Sequence, residues 1–200
     1  MDERDKRRIG EQLEPGGRPK APGRLELLQR FINSHNHDFP AEWDRIETPE
    51  KAQAWLRQKR LVAPDDRISG ADAARLRELR EALRALVIAN QGGGQAPAAA
   101  IDVLRRASGR ARLQVGFDDA ARTALEPARR GADGAIATLL GILHEAQLSG
   151  QWSRLKGCRQ CEYAFFDRSK NRSAAWCAMS ICGNRTKNRA YYRRRRSSTR

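Results

Sequence analysis

Gly157-Cys158-Arg159-Gln160-Cys161, then Cys177, then Cys182-Gly183-Asn184-Arg185-Thr186-Lys187 hold all four cysteines of a 200-residue chain, spaced C-x2-C-x15-C-x4-C. Two close pairs separated by a short loop are what one tetrahedral zinc ion takes from four thiolates. With Cys158, Cys161, Cys177 and Cys182 all as ligands, no position stays open for water. The expected cofactor is therefore one structural Zn2+ rather than a catalytic one. A module this small cannot fold on its apolar area alone, and zinc would supply roughly 10–16 kcal/mol at neutral pH.

Working outward, Gly157–Cys161 reads as a knuckle that turns two thiolates onto one ion. Residues 162–167 are expected as a strand, 168–173 as a polar, basic hairpin tip, and 174–177 as the returning strand that delivers the third ligand. Cys182 is expected to open a helix over 181–196. Knuckle, hairpin and helix in that order describe a treble-clef-like finger, with Phe165, Phe166 and Trp176 as a miniature core beside the metal.

Charge singles out the same region. Residues 151–200 carry 14 of the 39 Lys and Arg against two of the 24 acids, Glu162 and Asp167, a net +12 out of +15. The basic charge thus belongs to the last quarter and is not a diffuse solvating coat; a field of that sign attracts polyanions. Along the last helix Arg185, Arg189, Arg193 and Arg196 fall three or four apart, with Lys187 and Arg194 on another flank. Arg168, Lys170 and Arg172 at the hairpin tip extend the patch. Guanidinium forks pair with phosphate or with the O6/N7 edge of guanine, so these nine residues are the candidate nucleic-acid contacts.

The upstream chain reads as a tail over 1–22, polar and rich in Pro and Gly, followed by a mostly helical domain over 23–150 with one short hairpin. Helices are expected over 24–34, from Pro49 to about 59 behind a Thr48 cap, and from Ser69 to about 90. They are expected again from Pro97 to a stop at Gly109, and from 133 to about 149, ended by Gly150. Leu76, Leu79, Leu83, Leu86 and Val87 mark the core side of the third helix, and Glu78, Arg80, Glu81 and Arg84 its outer face. Leu113, Val115 and Phe117 alternate as a strand, with 123–126 as its partner.

The words Trp152-Ser153-Arg154-Leu155-Lys156, Phe165-Phe166-Asp167-Arg168-Ser169, Asn171-Arg172-Ser173, Trp176-Cys177 and Cys182-Gly183-Asn184-Arg185-Thr186-Lys187 resemble the CGNR zinc finger. Phe31-Ile32-Asn33-Ser34, Trp55-Leu56, 76–87 and Asp133-Gly134 are similar to the ABATE domain that precedes that finger in bacterial proteins. The likeness spans roughly residues 24–196. It implies a stress-induced transcription regulator whose finger binds DNA and whose upstream domain senses a signal. Two positions depart from the common pattern: only Arg159-Gln160 separates the first two cysteines, and Ser34 stands where Thr is usual.

Other readings stay open. RNA or the ribosome suits a small basic zinc module as well as DNA does. His35 and His37, with Asp38, offer a second metal or small-ligand site, which would make residues 24–150 a ligand-binding domain anchored by the finger. A lone finger has few base contacts, so a homodimer through the N-terminal domain is expected from need. No P-loop, dinucleotide fingerprint or nucleophile elbow is present, so no catalytic residue is assigned and the chain is expected to be no enzyme. Apolar stretches at 83–89 and 135–143 are too short to span a bilayer, and no secretory signal follows Met1. The expected location is cytoplasmic, at the nucleoid.

Overall fold

The computed structural model describes residues 20–38 and 40–197, with side chains along the last helix described through Arg189 and at Tyr191. Most of the expected tail therefore lies outside the described residues. Packing begins by Ala21, which is buried and donates its N–H to Gln29 Oε1 at 2.8 Å.

The chain is mostly helical. α1 spans Leu25–Ile32, α2 Pro49–Gln58, α3 Gly70–Gly92, α4 Ala98–Arg110 and α5 Gly131–Leu148. Local chemistry sets the ends. Thr48 accepts from the Lys51 N–H with Pro49 in the first turn. Ser69 and Asp72 close a reciprocal capping box, satisfying two N–H groups that the helix leaves unpaired. Gly93 ends α3 at φ +67° and Gly150 follows α5 at φ +68°, conformations that cost other residues a Cβ clash. Gly109 does not stop α4, which runs one residue further before Ala111 turns extended.

β1 (Leu113–Phe117) and β2 (Thr123–Pro127) pair antiparallel, Val115 opposite Leu125. Leu113 and Leu125 approach the notch left by Gly141 on α5. A 3-10 turn at Ala41–Trp43 was not foreseen.

Long α3 is the central element. Leu76, Leu79, Leu83 and Val87 pack with Leu28, Phe31 and Ile32 of α1, Trp55 and Leu56 of α2, and Leu139 and Ile142 of α5. Phe31 and Trp55 meet with ring centroids 5.7 Å apart. The expected outer face of α3 needs correction. Arg80 and Arg84 are buried, at 3% and 2% exposure. Arg80 forks onto both Asp44 carboxylate oxygens at 2.6 and 2.8 Å. Arg84 donates to the carbonyls of Ile32 and His35, both at 2.7 Å. Period alone places both on the polar side of the helix, but the end of α1 and the residues after it, with Asp44, cover that side and supply acceptors.

The finger shares this core. Trp152, Leu155, Ala164 and Phe166 belong to the same apolar cluster as α1, α3 and α5, so the expected boundary at 150/151 runs through continuous packing.

Candidate metal centre and basic helix

The hairpin of the finger differs from expectation. β3 (Leu155–Gly157) pairs with β4 (Ala164–Phe166), Lys156 opposite Phe165, so the two strands flank the knuckle instead of following it. Residues 174–177 form no strand. The Ala174 N–H goes to the Asp167 carboxylate at 3.0 Å, and the Ala175 carbonyl accepts from the Arg159 N–H at 3.1 Å. Side chains, not a ladder, hold the 168–176 loop. Buried Lys156 donates to Asp167 Oδ2 at 2.9 Å and to the Arg172 carbonyl. Burial disfavours the Asp167 charge, yet hydrogen bonds from Ser169, Lys156 and Ala174 outweigh it and hold the carboxyl below its usual range.

Between the strands, the Cys158 N–H bonds the Tyr163 carbonyl at 3.0 Å and the Glu162 N–H returns to Cys158 at 2.9 Å. Glu162 takes φ +58° to close this turn. A widened five-residue turn, Met179–Gly183, delivers the last cysteine: the N–H groups of Cys182 and Gly183 both point to the Ala178 carbonyl, at 3.0 and 3.2 Å. A Cβ on Gly183 would collide with the Met179 thioether packed there. α6 (Asn184–Ser197) then starts, two residues after the fourth ligand and not, as expected, one residue before it.

The four Sγ atoms lie within 4.8 Å of one another and all four residues are buried. Cys161–Cys177 is 3.7 Å, Cys177–Cys182 3.6 Å and Cys182–Cys161 3.6 Å. A tetrahedron with zinc–sulfur bonds of about 2.3 Å has edges of about 3.8 Å, so the sulfurs already stand at ligand spacing. Thiols this close resist ionising together. Contact with Cys158 pushes the Cys161 and Cys177 thiols up, burial pushes up Cys182, and hydrogen bonds from Cys161 and Cys177 favour the thiolate of Cys158. A divalent cation removes that conflict by neutralising the charge they accumulate. Four sulfurs at tetrahedral spacing fit one structural zinc. Phe165 packs in the cysteine cluster with Tyr163 and Trp176, whereas Phe166 faces the main core.

Two family descriptions match the chain. ABATE, described as "Putative stress-induced transcription regulator", matches residues 25–156. The chain belongs to the ABATE family. The CGNR zinc finger matches residues 154–195, which hold all four cysteines. No curated protein matches the chain. The ABATE and finger matches overlap on β3, the strand that closes the shared core. A regulator family joined to a zinc finger points to a nucleic-acid partner. Among the described residues no helix is long and apolar enough to cross a membrane.

The expected basic residues separate into two groups. On α6, Arg185, Lys187 and Arg189 are exposed. Thr186 and Arg189 both reach Gln160 at 3.4 Å, docking the first turns of α6 onto the knuckle. The side chains of Arg193, Arg194 and Arg196 lie outside the described residues, although α6 carries their backbone. The loop residues attach elsewhere: Arg168 donates to the Lys20 carbonyl at 3.0 Å, Arg172 to Ser153 Oγ at 3.3 Å, and Lys170 is exposed.

His35 and His37 come together with ring centroids 5.4 Å apart. His37 lies between two carboxylates, Glu81 of α3 at 3.2 Å and Glu162 of the knuckle at 3.3 Å. Burial pushes His35 down, and its Nε2 is buried with no hydrogen-bond partner. Among the described residues, the four cysteines form the one group of three or more metal-type side chains.

Sequence reasoning missed the polar seam that joins the ABATE part to the finger. The Asn33 amide meets Ala164 as a strand would, Nδ2 donating to its carbonyl and Oδ1 accepting its N–H, both at 2.8 Å. Gln29 adds a bond to the same carbonyl at 3.2 Å. Asn90 donates to the carbonyls of Trp152 and Leu155, and Gln91 to Ala174. The one signal in sequence was Asn33 inside the Phe-Ile-Asn word, directly after the last apolar turn of α1.

Proposed function

We propose that the protein is a zinc-dependent transcription regulator that binds DNA through α6. One observation carries the reading: α6 leaves the metal cluster with Arg185, Lys187 and Arg189 exposed and with no acid after Asp167. Zinc binding through Cys182 fixes where the helix begins, and contacts with Gln160 fix its direction. The seam at Asn33 and Asn90 ties that direction to the helical domain, the part proposed to sense a signal and to pair two copies at the nucleoid. No step of this role needs catalysis.

Fluorescence anisotropy on a short duplex, read across a salt series, tests it. About six neutralised phosphates give a log–log slope near −5, and Arg185→Ala makes it shallower by about one. Unchanged affinity and slope in Arg185→Ala would place the contact elsewhere. A structured RNA that displaces the duplex at equal concentration would move the assignment to RNA.

A further inference from the structure

Pro22, Gln151, Arg154, Phe166 and Arg168, none of them on α6, line a shallow, open cleft of about 520 Å³. Two of its arginines carry no carboxylate partner among the described residues, a state shared by Arg57 and Arg77, which also donate to carbonyls. Arg24, Arg30, Arg75, Arg80, Arg84, Arg105, Arg122, Arg129 and Arg130 are each paired with a carboxylate. Arg154 and Arg168 have no such partner among the described residues. Both are nonetheless held in place, by neutral oxygens. Arg154 Nη1 donates to the carbonyls of Asp167 and Ser169 at 3.0 and 3.1 Å. Arg168 Nη2 donates to Lys20 at 3.0 Å, and its guanidinium lies 5.8 Å over the Phe166 ring. Carbonyl anchors orient a guanidinium without neutralising it. Gln151 adds an amide to the wall.

We propose that this cleft binds a nucleotide, with the phosphate on the Arg154 and Arg168 guanidiniums and the base stacked on the outer face of the Arg168 guanidinium, which Phe166 backs from beneath. Two fixed cations answer the phosphate, and a guanidinium plane backed by a buried ring answers a flat base. The same chemistry arrives from a free mononucleotide or from one unit of a strand. The site is separate from α6 and stands whether or not α6 binds DNA.

Calorimetry on the zinc-loaded full chain tests it, with AMP, GMP, inorganic phosphate and adenosine as probes and a short single-stranded oligonucleotide as the second arm. The nucleotides are expected to bind at least tenfold more tightly than either adenosine or phosphate. Arg168→Gln is expected to weaken them at least tenfold, and Gln151→Glu, which puts a carboxylate on the wall, to do the same. Arg185→Ala leaves mononucleotide binding unchanged, separating this cleft from α6. Melting temperature and zinc content of each variant check that it folds. If only the oligonucleotide binds, and both cleft variants weaken it tenfold, the strand is the source. Adenosine binding as tightly as AMP, or no cleft variant altering either ligand, overturns the proposal.

Discussion

Replacing Asn33 by alanine removes two hydrogen bonds that hold β4 against α1, both 2.8 Å long and both made to fully buried Ala164. The two halves of the loss are unequal. The Ala164 carbonyl keeps Gln29 as a donor, so that side forfeits about 0.5–1.5 kcal/mol. The Ala164 N–H loses its acceptor at a buried position, at the desolvation cost of an unpaired donor, about 1–3 kcal/mol. The sum, about 1.5–4.5 kcal/mol, corresponds to a fall in melting temperature of roughly 3–18 °C for a chain of this size. Ala164 lies three residues beyond Cys161, so the same change loosens the metal cluster. Circular dichroism at 222 nm reads the helices, and a chromogenic chelator reads zinc release. Asn33→Ala is expected to lower the helical melt and to speed zinc release together. A helical melt within 2 °C of the wild type, or faster zinc release beside an unmoved helical transition, would refute the coupling.

Other outcomes follow from the same geometry. Cys182→Ser is expected to cost the zinc and the start of α6 together, read as lost metal content and reduced ellipticity at 222 nm; retained stoichiometric zinc would contradict the four-sulfur site. Arg80→Leu strands the Asp44 carboxylate in the core and is expected to destabilise by about 3–5 kcal/mol in urea, while Arg80→Leu with Asp44→Leu recovers most of it. Burial opposes the charge of Asp44, but Arg80 and the Ile46 N–H overcome it and hold the carboxyl below its usual range. A depressed folded value stabilises above the ordinary carboxylate value, about pH 3.9, and that stability is lost as pH falls through the folded value beneath it. The stability gap between wild type and Asp44→Asn is therefore expected to stay level down to about pH 4 and to close below it; a gap unchanged at pH 3 would count against the pair.

Features that depend on neighbours in sequence were legible. The Ser69–Asp72 box, the Thr48-Pro49 start, the alternation of Leu113, Val115 and Phe117, and the glycine after α5 act within a few residues. Cysteine spacing likewise fixed the metal centre, because zinc imposes its own geometry on the chain. Features that depend on what arrives from far away were not legible. Arg80 and Arg84 look solvated until Asp44 and the carbonyls of Ile32 and His35 surround them. Leu155-Lys156-Gly157 is too short and too polar to announce a strand, and only Asp167, eleven residues on, neutralises Lys156 inside the core. Residues 174–177 were expected to return as a strand, yet Ala174 bonds the Asp167 carboxylate and Ala175 the Arg159 N–H. Asn33 looked like a helix end and became an edge for β4.

The seam also sets an order of events during synthesis. Asn33 and Ala164 are 131 residues apart. At translation rates of about 5–20 residues per second, α1 waits roughly 7–26 s for the strand that completes it. Meanwhile the side of α1 and α3 destined for Trp152, Leu155 and Phe166 has nothing to cover it. A nascent chain in that interval presents an apolar surface with its bonding groups unanswered, the kind of surface that chaperones hold.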